Sequence, residues 1–321
     1  MSRFIITGGA GYLGSHMAHR LLKQGHTVKI IDKIQQDVAF RLNSIRNNKK
    51  LSYLQLDLAT SPGLVSEFKG FDTVIHFAAS LDIPLGSKYT DLDLKQGTVV
   101  THKVLETMRI NGIKEIIFPS SSTIYGYADQ IPTPENAGML FPISLYGASK
   151  LASEALVSAF CYLYGMKSWI FRLGNVIGNY MKRGVIFDLV NKLKKNPTEL
   201  QILGDGGQSK DYIYIEDCID GILHAYYNTH ERINVFNLSS GTTITVKEIA
   251  QIIFEEMNMK NVKLKYITGP SGWEGEGWAG EIRSFHYDIS KIKKTGWSPK
   301  LLSHEAARLS VRETIKNNYV Q

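Results

Sequence analysis

Tyr146 and Lys150 stand four residues apart in Ser144-Leu145-Tyr146-Gly147-Ala148-Ser149-Lys150, a spacing that puts both on one face of a helix. An ammonium beside a phenol favours the phenolate and brings a side chain of otherwise high pKa toward the range of a general base. Upstream, Pro119-Ser120-Ser121-Ser122-Thr123-Ile124-Tyr125-Gly126 follows the apolar run 115–118 and places hydroxyls at the tip of a strand. A hydroxyl, a phenol and a lysine around one C–OH group can remove its proton while hydride leaves its carbon. Tyr-x-x-x-Lys is common on helices and means little without a hydride acceptor.

The start of the chain supplies a place for one. Phe4-Ile5-Ile6-Thr7-Gly8-Gly9-Ala10-Gly11-Tyr12-Leu13-Gly14 reads as strand, turn and the beginning of a helix that runs from Leu13 to Lys23. Gly8, Gly11 and Gly14 allow a sharp turn, a close approach to a ligand and tight helix–strand packing, and the helix N-terminus aims free N–H groups at a pyrophosphate. A second apolar run, 27–31, ends in Asp32, 18 residues beyond Gly14. A carboxylate there accepts hydrogen bonds from both adenosine-ribose hydroxyls and repels a 2′-phosphate, so the expected cofactor is NAD rather than NADP. Lys33, a basic neighbour, works against that discrimination. A third strand over 51–56 ends at Asp57-Leu58, where a carboxylate can meet the adenine amino group. A fourth, 72–79, closes on Phe77-Ala78-Ala79, small enough at its tip for backbone to lie against the cofactor.

The elements that must position these residues alternate. Strands separated by helical segments from Asp32 to Ile117 imply a parallel, doubly wound α/β sheet with its crevice at the strands' carboxyl ends. The length of 321 residues fits two domains or one large α/β unit with an appendage. Apolar content of 43% and charge of 21% are those of an ordinary globular protein. The net charge of +7 comes from scattered lysines without a basic stripe interleaved with aromatics, which argues against nucleic acid and suits a diphosphate substrate. No apolar run is long enough to span a bilayer and no signal segment is evident, so a cytoplasmic enzyme is expected. His16 and His19 lack a metal motif, Cys161 and Cys218 show no metal spacing, and no metal is expected; His76 reads as a hydrogen-bonded core histidine.

Thr7-Gly8-Gly9-Ala10-Gly11-Tyr12-Leu13-Gly14, Asp32, Asp57, His76-Phe77-Ala78-Ala79-Ser80, Ser120 to Gly126 and Tyr146 to Lys150 together resemble the extended short-chain dehydrogenase/reductase family, specifically its nucleotide-sugar epimerases and dehydratases. The resemblance covers essentially the whole chain. It implies a Rossmann domain with permanently held NAD over 1–173, completed by about 212–238, a smaller C-terminal α/β domain over 174–321 that clamps a nucleoside-diphosphate sugar, and a homodimer built on the helix that carries Ala152, Ala155 and Ala159. It makes Ser121, five residues before Gly126, the catalytic hydroxyl, Tyr146 the base, and Lys150 the residue that binds the nicotinamide ribose and tunes Tyr146. It makes Ser122 and Thr123 substrate neighbours and Asn175 a diphosphate contact. Lys210 stands where relatives carry an arginine that grips the same diphosphate. Where many relatives have Arg-x-Gly-Asp this chain has Trp278-Ala279-Gly280-Glu281, leaving Arg283 as the stand-in for a second arginine. Phe285 corresponds to the gatekeeper beside an N-acetyl group, and its bulk argues for glucose and galactose.

The reaction is read from what is missing. The resemblance implies that 4,6-dehydratases carry Asp-Glu directly after the catalytic Thr, where this chain has Ser122-Thr123, and that a decarboxylase has Glu in the place of Thr123. Hydroxyls cannot supply that carboxylate chemistry, so 4-epimerisation of a UDP-hexose is expected, with the UDP-N-acetylglucosamine epimerase, a dehydratase and a reductase as alternatives. A non-catalytic NAD sensor would lack the Tyr/Lys pair. The segment 269–280, with Trp273 and Trp278, is expected to form a loop over the substrate mouth.

Overall fold

The computed structural model describes residues 1–61, 63–80, 82–268 and 280–317. The strands are β1 (Arg3–Thr7), β2 (Thr27–Asp32), β3 (Leu51–Gln55), β4 (Thr73–His76), β5 (Glu115–Ser121), β6 (Lys167–Leu173), β7 (Asn175–Ile177), β8 (Glu199–Leu203), β9 (Ser209–Tyr214), β10 (Ile233–Leu238), β11 (Thr243–Thr245) and β12 (Lys263–Ile267). The α-helices are α1 (Tyr12–Lys23), α2 (Ile83–Lys88), α3 (Val100–Asn111), α4 (Leu145–Tyr164), α5 (Val185–Lys195), α6 (Ile215–Asn228), α7 (Val246–Glu256), α8 (Ser290–Lys293) and α9 (Ser303–Lys316). The chain divides into two compact units. The first holds Met1–Gly126, Leu140–Arg172 and Ile222–Phe236, and the second holds Tyr127–Met139, Leu173–Gly221 and Asn237–Gln321.

The first unit is built on a seven-stranded sheet in the order β10-β6-β5-β4-β1-β2-β3. β3, β2, β1, β4 and β5 pair in parallel, with Thr7 opposite His76 and Ile31. The strand order reverses beside β1, and that switch point opens a crevice at the carboxyl ends. The strands are near-continuous apolar runs because helices cover both faces of a parallel sheet. Ile5, Val74, Ile116 and Ile170 pack on one face with Val104, Met108, Val157 and Cys161 from α3 and α4.

The doubly wound fold is as the sequence implies, but the strict strand–helix alternation is not. Between β2 and β3, and between β3 and β4, the described residues hold only short 3-10 turns at Phe40–Leu42 and Val65–Phe68. The helix that leads to β5 begins as a π-helical stretch, Leu94–Val99, and becomes α-helical at Val100. Periodicity cannot distinguish these windings over so few residues. No helix among the described residues is long and apolar enough to cross a membrane.

The second unit has a three-stranded sheet, β11-β9-β7, and a parallel pair, β12-β8. Its core gathers Ile186, Val190 and Leu193 of α5, Ile249 and Ile253 of α7, and Ala306, Ala307 and Val311 of α9. A Thr245–Glu248 capping box opens α7: Thr245 N–H donates to Glu248 Oε2 at 2.7 Å and Glu248 N–H to Thr245 Oγ1 at 3.2 Å. The expected loop over 269–280 lies, up to residue 279, outside the described residues, as do Trp273 and Trp278.

Candidate active site

The glycine turn after β1 is closed by contacts that leave no room for side chains. Gly8 sits at φ +69°, and a Cβ on it would lie 2.7 Å from Ala78 N at the end of β4. A Cβ on Gly14 would lie 2.6 Å from Gly9 Cα and clash with Gly8 O, so α1 docks against the turn itself. Gly11 N–H donates to Gly8 O at 3.1 Å and Ser15 N–H to Gly11 O at 3.1 Å. No side chain caps the N-terminus of α1, and its first turn holds no acid. The Tyr12, Leu13 and Gly14 amides therefore lack the intrahelical partners that later amides have, which is the arrangement a pyrophosphate requires.

Asp32, at the end of β2, is buried and already holds the turn: Ala10 N–H donates to its Oδ2 at 2.9 Å and Ile34 N–H to its Oδ1 at 3.1 Å. A carboxylate has about four acceptor positions, so two remain for ribose hydroxyls. Lys33, beside it, is exposed. Asp57 accepts from Ala59 N–H at 2.8 Å, and Leu58 is buried against the first unit's core. Phe77 N–H donates to Thr7 O at 3.0 Å, which carries Ala78 and Ala79 alongside the glycine turn. An uncapped helix end, a glycine cradle and an acid with spare lone pairs fit a dinucleotide.

The catalytic candidates meet at the end of β5. Ser121 caps the 3-10 turn Ser122–Ile124, with Thr123 N–H donating to its Oγ at 3.3 Å, which leaves the Ser121 hydroxyl hydrogen to donate elsewhere. The hydroxyls of Ser120 and Thr123 are buried without a hydrogen-bond partner among the described residues. A buried hydroxyl without a partner costs about 1–3 kcal/mol, a deficit that a polar ligand removes. Ser144 caps α4 by accepting from Gly147 N–H at 3.1 Å. A Cβ at Gly147 would come within 2.5 Å of Thr123 O, so glycine lets the helix carrying Tyr146 press onto the hydroxyl turn. Lys150 is only 6% exposed. Its Nζ donates to Pro119 O at 2.8 Å and lies 4.9 Å from the Phe118 ring centre and 5.8 Å from that of Tyr146. Burial lowers the Lys150 pKa to about 8, against an opposing pull from Glu154. The structure thus brings Ser121, Thr123, Tyr146 and Lys150 to the carboxyl end of β5, a set able to move a proton to and from an alcohol.

His76, as expected, is a core histidine. Its Nδ1 bonds Thr7 Oγ1 at 2.7 Å and its Nε2 bonds Thr101 Oγ1 at 3.1 Å. Burial first, and the Lys150 cation second, push its pKa down to about 3. It is neutral at physiological pH and ties β1 to β4 and α3. No group of His, Cys, Asp and Glu among the described residues is arranged to hold a metal ion.

In the second unit the substrate candidates collect around β9. Asn175 lies opposite Tyr212 in the parallel β7–β9 pairing. Ser209 N–H donates to Arg283 O at 3.0 Å and Phe285 N–H to Ser209 O at 3.0 Å, so Arg283 and Phe285 flank the strand that carries Lys210. Both cations have carboxylate partners: Lys210 Nζ meets Glu281 Oε1 at 2.5 Å, and Arg283 Nη2 meets Asp205 Oδ2 at 2.5 Å. Asn175 is exposed, whereas Phe285 is buried and packs edge-on against Tyr287 at 4.7 Å between ring centres. Glu281 and Asp205 carry no signal of this pairing in the sequence, because their partners are 71 and 78 residues away.

The model of the family described as "NAD dependent epimerase/dehydratase family" matches residues 4–239. Three solved structures show what the whole chain is similar to. A UDP-galactose 4-epimerase is 30% identical, with a TM-score of 0.84 over 99% of this chain and 100% of its own. A UDP-glucose 4-epimerase of Thermotoga maritima, solved with UDP-glucose, is 26% identical, with a TM-score of 0.85 over 98% of this chain and 99% of its own. A UDP-N-acetylglucosamine 4-epimerase of Methanobrevibacter ruminantium, in complex with UDP-N-acetylmuramic acid, is 26% identical, with a TM-score of 0.85 over 98% and 97%.

Proposed function

This chain belongs to the NAD-dependent epimerase/dehydratase family, and on that premise we propose that it interconverts UDP-glucose and UDP-galactose by inverting C4 of the sugar through a 4-keto intermediate. The observation that carries the reading is the composition of the turn after β5. Ser121, Ser122 and Thr123 bring hydroxyls beside the Tyr146 and Lys150 helix, and no carboxylate stands among them to expel water or handle a carboxyl group.

Tyr146, as phenolate, takes the proton of the C4 hydroxyl, and Ser121 donates to the same oxygen. Lys150, charged and fixed by Pro119 O, stabilises the phenolate. NAD, when bound, supplies reversible hydride acceptance at that carbon. Gly8, Gly11, Tyr12, Leu13 and Gly14 would hold its pyrophosphate, Asp32 its adenosine ribose, and Asp57, Leu58, Phe77, Ala78 and Ala79 its remaining surface. One base suffices for both directions, because the proton that Tyr146 removes is the one it returns once the sugar has presented its other face.

The first unit would then carry cofactor and base, and the second the nucleotide-sugar contacts, with Asn175, Lys210 and Arg283 at the diphosphate. Phe285, by its bulk, supports glucose and galactose over the N-acetylated pair, which the Methanobrevibacter relative's name favours as the second reading. A homodimer is supported by α4, whose Ala152, Ala155, Ala159 and Tyr162 are all exposed on one face. The test is to supply UDP-glucose and UDP-N-acetylglucosamine to freshly purified protein without added cofactor and to identify products by NMR. UDP-galactose is expected; a 4-keto-6-deoxy sugar nucleotide would overturn the proposal.

A further inference from the structure

Glu154 lies one helical turn beyond Lys150 on α4, on the face that already presses against the hydroxyl turn. It is buried, and Arg172 of β6 holds both its oxygens, Nε to Oε1 at 3.1 Å and Nη2 to Oε2 at 2.9 Å. The guanidinium has a further arm, Nη1, which donates to Tyr125 Oη at 2.9 Å, and its carbon stands 5.0 Å from the Tyr125 ring centre. Tyr125 directly follows the 3-10 turn that holds Thr123 and is capped by Ser121. A fork-to-fork pair fixes a carboxylate in direction as well as charge. Buried ion pairs contribute little to stability compared with apolar packing of equal volume, so their position is the informative feature.

We propose that Glu154, pinned by Arg172, is a positioning residue for the base pair: the two form a balanced pair whose remaining arm, through Tyr125, locks the hydroxyl turn onto the helix that carries Tyr146. The inference rests on the reading of Tyr146 and Lys150 as that pair. The groups facing Lys150 are Tyr146 and Glu154 on its own helix, neutral His76 from β4, and the Pro119 carbonyl of β5. Burial works against the ammonium, and Glu154 is the carboxylate that opposes this. With Glu154 neutralised, the unbalanced Arg172 cation would favour the Tyr146 phenolate; with Arg172 neutralised, the unbalanced Glu154 anion would oppose it.

The experiment titrates the Tyr146 phenolate in the NAD-loaded protein by near-ultraviolet absorbance. Each variant is read against its own Tyr146→Phe counterpart, which removes the other 15 tyrosines of the chain's 16. Glu154→Gln should move the midpoint down by about one pH unit and Arg172→Gln should move it up by about as much. The double variant should bring it back toward the wild-type value. Equal midpoints, or shifts of the same sign, overturn the inference. Should Arg172→Gln not fold, the nearly isosteric Glu154→Gln decides alone, and a midpoint that stays or rises overturns it. Tyr125→Phe removes no charge, so it should keep the midpoint while kcat on UDP-glucose falls about threefold to tenfold; an unchanged kcat removes Tyr125 from the account. The titration uses no substrate, so a wrong sugar leaves it intact, whereas a wild-type protein without any Tyr146-dependent phenolate overturns the base pair and this inference together.

Discussion

Lys150 of the first unit and Lys210 of the second are both lysines assigned to work on a charged partner, yet their surroundings differ in kind. Lys150 is buried, bonded to a main-chain carbonyl and flanked by two aromatic rings. The Lys210 side chain is 22% exposed and answers a carboxylate, as does Arg283, whose side chain is 38% exposed. A buried cation has its proton affinity set by what encloses it, while a water-facing one is screened and replaceable. Under the proposed function chemistry falls to the first setting and recognition to the second, so substitutions should separate into effects on kcat and effects on KM.

The largest effect should come from Gly14→Val, which places carbon against Gly9 Cα and Gly8 O. It should cost more than about 4 kcal/mol or leave protein that purifies without NAD; calorimetry and cofactor analysis check it. Ser121→Ala, a change confined to the base region, should lower kcat by about 100-fold to 1,000-fold with KM little altered in steady-state assays. A KM effect instead would move Ser121 to the recognition side of the comparison.

A third prediction uses the neutral His76. Its folded pKa of about 3 lies below the ordinary 6.5, so the unfolded chain binds the proton first as pH falls. Its contribution to stability is complete above 6.5 and is lost progressively toward 3, at about 1.4 kcal/mol per unit of separation. Denaturant titrations across that interval should show a steeper pH dependence for the wild type than for His76→Gln. Smaller still, Lys210→Ala should raise KM for UDP-glucose about tenfold with kcat within about threefold, and Arg283→Ala should change KM by less than about threefold.

The sequence made much of the first unit legible, because its signals are local. Glycines at 8, 11 and 14, an acid ending an apolar run, and a tyrosine four residues before a lysine each act within one strand–turn–helix or one helix. The same locality limits what sequence signals can carry. Among the described residues the crossovers after β2 and β3 carry only 3-10 turns, since weakly periodic residues wind as the neighbouring sheet permits. Lys150 is held by Pro119 O, 31 residues away, and Lys210 by Glu281, 71 away. Glu154 lies one turn past Lys150, but its meaning depends on Arg172, which sequence spacing does not place.

The most direct test is rapid mixing of the NAD-loaded enzyme with UDP-glucose, wild type against Tyr146→Phe, following UDP-galactose without added cofactor. The account predicts conversion by the wild type and a loss of about 100-fold or more in the variant, with cofactor content and folding retained. Undiminished conversion by Tyr146→Phe would contradict it.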